Sequence, residues 1–136
     1  MLILDTNVLS TLMSPAPSSA VVDWLNAQPD ESLFTTAITQ AEILAGIALL
    51  PNGRRRQLLE HAAKAMFAEE FEDGVLPFDA EAAAVYADLY AERRKIGRSA
   101  AAFDLMIAAI ARTRGASVVT RNIADFTGVG IAVINP

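Results

Sequence analysis

Five short runs rich in apolar and β-branched residues, LIL, SLFTT, VLPF, SVVT and IAVIN, punctuate this chain, and most are separated by segments with helical spacing. That alternation predicts an α/β fold: right-handed crossovers, a central and mostly parallel sheet of about five short strands, and helices covering both faces. Ligands of such sheets sit at the carboxyl ends of the strands. Asp5, at the end of the first strand, and Asn122, just past the end of the fourth, therefore stand out together.

Helices are expected over 7–13, 20–28, 39–50, 54–70, 80–95 and 99–114. The prolines of SPAPSS end the first helix and its serines cap the second, PNG closes the third, and Asp79 has the position of an N-cap. Gly97 and Gly115 occupy C-cap positions. No repeat, linker or low-complexity stretch intervenes, so residues 1–136 read as one domain.

Composition narrows the chemistry. The chain has 53% hydrophobic and 20% charged residues, the balance of a packed globular protein, and no cysteine. Disulfides, cysteine zinc sites and thiol nucleophiles are thereby excluded. The first residues lack the basic and long apolar regions of a signal peptide, and runs such as ILAGIALL are too short to span a bilayer, so a cytoplasmic location without membrane contact is expected. A net charge of −5 argues against the broad basic surface of a duplex-DNA binder, though not against a local basic groove.

The acidic residues carry more. An ionised carboxylate at the edge of a core is costly without a partner, so Asp5 is either a helix cap or a ligand. Glu42 stands three residues after Thr39, the spacing of a capping box, and reads equally as a cap or as a ligand one turn before Gly46. Asp104 lies in an alanine-rich apolar helix, where aspartate has poor propensity and needs a partner. TRNIADF then offers Thr120, Asn122 and Asp125 as oxygen donors in a loop. Carboxylates gathered at one sheet edge repel one another unless a cation neutralises them, and hard oxygen ligands without a histidine or cysteine cluster point to Mg²⁺ or Mn²⁺. Such a site implies phosphate chemistry by a metal-activated water, with room for a second ion roughly 3.5–4 Å away.

LDTNVLS, TTAITQAEILAGIALLPNGRRRQLL, AAFDLMIAAIA and VVTRNIADF resemble, in order and spacing, the PIN-domain ribonucleases, and among them the VapC/FitB-type toxins of bacterial toxin–antitoxin pairs. The resemblance spans essentially the whole chain. It implies a PIN-like three-layer α/β/α sandwich, a Mg²⁺-dependent endoribonuclease, a homodimer, and a small antitoxin with a DNA-binding N-terminal half. By position, Asp5, Glu42 and Asp104 match the three core acidic ligands. Asn122 falls at the fourth site, with Asp125 in the same loop as its alternative, and Thr6 and Thr120 match small hydroxyl positions beside the acids.

A nuclease with an acidic centre must still attract its strand, so Arg54, Arg55, Arg56, Arg94, Arg98 and Arg121 are the expected RNA or antitoxin contacts, while the sole histidine, His61, reads as surface. A dehalogenase-type phosphatase would need an acid where Asn7 stands, and a receiver domain a lysine where SVVT is followed by Arg121. The stronger alternative is a catalytically weak PIN-like binding module that works only in complex with an antitoxin-like partner.

Overall fold

The computed structural model describes residues 1–98 and 101–136. Five strands, β1 (Leu2–Leu4), β2 (Leu33–Thr36), β3 (Val75–Leu76), β4 (Ser117–Val119) and β5 (Val133–Ile134), form one sheet in the order β3-β2-β1-β4-β5. Every pairing is parallel; Ile3 stands opposite Phe34 on one side and Val118 on the other. β1 is thus the central strand. The helices are α1 (Thr6–Leu12), α2 (Ser19–Asn26), α3 (Ala37–Ala48), α4 (Arg54–Ala65), α5 (Ala80–Lys95) and α6 (Ala102–Arg114).

Alternation along the central strands divides the core. Successive strand side chains point to opposite faces, so Ile3 and Val118 join Leu89, Leu105, Ile107 and Ile110 beneath α5 and α6. Leu4 and Val119 join Val8, Val21, Ile43 and Phe67 on the other side, beneath α1 to α4. Both faces of β1 and β4 are buried, which is why their sequences are apolar runs and not alternating ones. Among the described residues, no helix is long and apolar enough to cross a membrane.

Several boundaries differ from the expected ones, each for a local reason. α3 begins two residues early because Thr36 is its N-cap and accepts a hydrogen bond from the Thr39 amide at 3.1 Å. Glu42 therefore stands inside the helix, and the Thr39–Glu42 capping box does not form. The helix expected over 54–70 ends at Ala65 and widens into a π-turn over Met66–Glu70. α6 starts at Ala102, which places Asp104 in its first turn, where the helix macrodipole favours an acid; the expected start at Ser99 lies outside the described residues. Ser18 holds the N-cap position of α2 without a side-chain bond, whereas Asp79 caps α5 through the Ala82 amide at 2.9 Å. Gly97 and Gly115 adopt the left-handed backbone (φ 70° and 62°) that closes α5 and α6.

Candidate acidic site

Asp5 follows the last residue of the central strand and is 4% exposed. Its backbone amide continues the sheet by donating to the Val119 carbonyl at 2.9 Å. One side-chain oxygen, Oδ1, accepts from the Thr6 amide at 2.8 Å and so caps α1, while Oδ2 accepts from the Thr120 hydroxyl at 2.9 Å. Cap and buried acid are thus one residue, with a different oxygen for each partner.

The hydroxyl protons can be traced from there. Thr120 has a single O–H and gives it to Asp5, so its oxygen receives the Asn7 Nδ2 at 3.1 Å and the Asn122 amide at 3.0 Å. Thr6 gives its O–H to Glu42 Oε1 at 2.8 Å, so at the 3.0 Å contact with Thr39 the donor is Thr39. A hydroxyl on each side of Asp5 thus ties the end of β1 to α3 and to the loop after β4.

Sequence reasoning passed over Asn7. Its Oδ1 accepts from the Arg121 amide at 3.1 Å while its Nδ2 holds Thr120, a two-point clamp between α1 and the β4 exit. The signal was available in LDTN, because an asparagine in the first turn of a helix at a strand end presents both a donor and an acceptor.

Glu42 and Asp104 are partly buried, and Asp125 lies on the exposed side of a short 3-10 turn, Ile123–Phe126. Burial holds the Asp5 carboxyl above its ordinary range; the Thr120 and Thr6 hydrogen bonds oppose this, and Glu42 and Asp125 add repulsion. Asp104 is pushed up to about 6, first by burial, then by repulsion from Asp5, Asp125 and Glu42, with a hydrogen bond to Asp125 favouring the protonated form. The four acids therefore feel one another across the carboxyl edge of the sheet. Asn122 directs its amide nitrogen to Asp125 Oδ2, a donor placed on the neighbouring acid.

Among the described residues, no three of these side chains stand at the spacing of a metal-ligating group. The donors nevertheless fit a hard divalent cation in kind: all are oxygens, and their mutual repulsion is what such a cation relieves.

The basic residues separate. Arg54 and Arg55 line a groove of about 900 Å³ between α1, α3 and α4, which is walled by Gly46 and Leu58 and reaches Thr6 and Glu42. A Cβ on Gly46 would meet nothing within 4 Å, so glycine leaves the wall open there. Arg56 is engaged locally, with Glu60 at 2.8 Å and Asn52 at 3.1 Å. Arg94 lies over the Tyr90 ring at 5.9 Å on α5, Arg98 is exposed, and Arg121 reaches towards Thr11 at 3.4 Å. His61 is exposed, as expected.

A parallel three-layer α/β/α sheet whose central strands end in a buried acid, with three further acids gathered around it, defines a class of protein with an acidic centre at the carboxyl edge. Residues 2–130 match the family model of the PIN domain, and the chain belongs to that family. VapC ribonuclease Y4jK of Sinorhizobium fredii is 39% identical over 136 residues, which cover 100% of this chain and 97% of that relative. Toxin FitB of Neisseria gonorrhoeae is 38% identical over 136 residues, with 100% and 98% covered. The structure of FitAB bound to IR36 DNA fragment superposes with a TM-score of 0.92 at 38% identity, covering 100% of this chain and 95% of that one. The fold is the PIN-like sandwich that the sequence predicts.

Proposed function

We propose that this chain is a Mg²⁺-dependent endoribonuclease, the toxin of a toxin–antitoxin pair, acting as a single domain over residues 1–136. The observation that carries the reading is the gathering of Asp5, Glu42, Asp104 and Asp125 at one edge, where burial and then the charges of the other three raise the proton affinity of Asp104. A whole-length relative named as a VapC ribonuclease and another named as a toxin supply the reaction class.

In this reading Asp5, Glu42 and Asp104 hold the ion, with Mn²⁺ as a substitute, and Asn122 or Asp125 completes the set. Asp125 is the better donor, because a carboxylate outbids an amide and the Asn122 nitrogen already orients it. When bound, the ion lowers the pKa of a water and polarises a phosphoryl oxygen. The chain's own part is positional. Thr120 and the Thr6 amide fix both oxygens of Asp5, and the Thr6 hydroxyl fixes Glu42. Asp104, whose carboxyl burial and the neighbouring acids push up to about 6, gives up its proton to hold the ion, so uptake of the ion strengthens as pH rises through that value.

A small antitoxin with a DNA-binding N-terminal half is the proposed partner, in line with the FitAB complex on DNA. The groove that runs from Leu58 to Glu42, apolar in its lining and with Arg54 and Arg55 beside it, would take an apolar segment of such a partner. A cationic side chain of that segment would pair with the acids and silence them. Arg56, Arg94, Arg98 and Arg121 remain candidate RNA or antitoxin contacts. The active form is a homodimer in the cytoplasm.

The test is cleavage of a mixed RNA pool by purified protein with Mg²⁺ or Mn²⁺, beside Asp5→Asn and Asp104→Asn, with folding followed by circular dichroism. Metal-dependent cleavage lost in both folded variants supports the reading. A wild type that neither binds the ions nor cuts RNA leaves the binding module in its place.

A further inference from the structure

Three basic residues fill the last turn of α5, Arg93, Arg94 and Lys95, and the fold treats them differently. Arg94 and Lys95 face solvent, whereas Arg93 is 7% exposed. Removing a guanidinium from water is costly, and fixed acceptors must compensate. Among the described residues, no carboxylate lies within 4.0 Å of Arg93. Its partner is a backbone oxygen: Nη2 donates to the carbonyl of Thr127, 34 residues away. An apolar residue would bury at lower cost, and an ammonium is more strongly hydrated and shorter in reach, so the requirement is for the reach and direction of a guanidinium.

Thr127 is the residue at which the Ile123–Phe126 turn ends and the chain becomes extended (φ −70°, ψ 132°). The turn closes on itself through the Thr127 hydroxyl, which donates to the Ile123 carbonyl at 3.1 Å, and the Asp125 amide, which donates to the Asn122 carbonyl at 3.2 Å. Phe126 and Val129 drop into the core on the α5–α6 side, 1% and 2% exposed. These contacts hold the inner side of the loop, yet an apolar anchor can rotate in place. The Asn122 and Arg121 amides fix the entry of the loop; at its exit the bond from Arg93 to Thr127 is a directional one, and it acts two residues beyond Asp125. The backbone carbonyl of Arg93 also accepts from the Arg98 amide at 2.9 Å, through the left-handed turn at Gly97. One residue thus holds the exit of the Asp125 turn with its side chain and the end of α5 with its main chain.

We propose that Arg93 is a positioning residue: its buried guanidinium holds the turn that carries Asp125 and so sets where that carboxylate stands against Asp5 and Asp104. The inference deepens the reading of the acidic edge as a metal-dependent centre and rests on it for the consequence, though not for the tether. Arg93 touches neither substrate nor ion; it acts through Thr127.

The experiment uses the full chain with Arg93→Met, which keeps most of the volume and loses the donors, and Arg93→Lys, which keeps the charge and the donors of an ammonium group. Amide hydrogen exchange is read by mass spectrometry over 121–128 and over β1 and β4, without added metal. In parallel, Mn²⁺ affinity is read by calorimetry. The tether predicts faster exchange over 121–128 in Arg93→Met with the central strands unchanged, Mn²⁺ binding weakened roughly tenfold, as for other outer partners of metal ligands, and partial recovery of both in Arg93→Lys. Unchanged exchange over 121–128 in a folded Arg93→Met overturns the proposal, and so does acceleration spread evenly over the sheet. Should Arg93→Met not fold, Arg93→Gln, polar but too short to span the gap, carries the same exchange comparison. If the wild type takes up no Mn²⁺ while the exchange result holds, the tether stands and the metal reading fails.

Discussion

A threonine hydroxyl carries one proton, and at this sheet edge two such protons are committed to acids, Thr120 to Asp5 and Thr6 to Glu42. Replacing Thr6 with valine leaves Glu42 without its donor and Thr39 without its acceptor. Chemical denaturation of Thr6→Val is expected to show a loss of about 1–2 kcal/mol, with Thr6→Ser close to the wild type; equal stability of the two variants would speak against the bridge. Asp104 gives a pH signature. Its carboxyl is pushed up to about 6 from 3.8, so between those values the folded chain keeps a proton that the unfolded chain has released. That stabilising contribution is complete below the unfolded value and is lost as pH rises through about 6. Asp104→Asn cannot ionise, so in chelator its melting temperature should gain on the wild type by about 2–4 °C more near neutral pH than in mild acid, allowing for solvent screening of a partly exposed group. A gain independent of pH would mean that Asp104 is not under strain.

At the scale of an element, the start of a helix decides what its acids can do. Because Thr36 and not Thr39 caps α3, Glu42 falls on the second turn, where its carboxylate faces Thr6 of α1. Thr36→Ala should cost about 1 kcal/mol, read from the denaturation midpoint, and an unchanged midpoint would mean that Thr36 is not the cap. The end of α6 offers a control remote from the acids. Gly115 sits at φ 62° with nothing within 4 Å of a Cβ placed there, so Gly115→Ala tests backbone strain alone. A loss of about 1 kcal/mol is expected, with cleavage unaffected.

For the whole molecule, acids placed together at the cost of mutual repulsion make the folded state respond to cations. At an ion concentration one hundred times its dissociation constant, Mg²⁺ or Mn²⁺ should stabilise the fold by about 2.7 kcal/mol. Thermal melts should show that rise in the wild type and not in Asp5→Asn. The same rise in both would place the ion elsewhere.

The strand order of events along the chain, the strand at Leu2–Leu4 ending in Asp5, the cap at Asp79 and the glycine ends of α5 and α6 were all legible in the sequence, because each depends on neighbours a few residues away. Apolar runs also disclosed a sheet buried on both faces, since burial and hydrophobicity are the same physical quantity read twice. The resemblance of four separated motifs indicated the family before any contact was seen. Tertiary structure alone decided the rest: that Thr6 serves Glu42 36 positions away, that Asn7 clamps Thr120 and Arg121 across more than 110 positions, and that Arg93 turns inward to Thr127 while Arg94 turns out. Those are choices of direction for single polar groups between elements distant in sequence. Local propensity carries no information about them, and they are fixed only when packing brings the elements together.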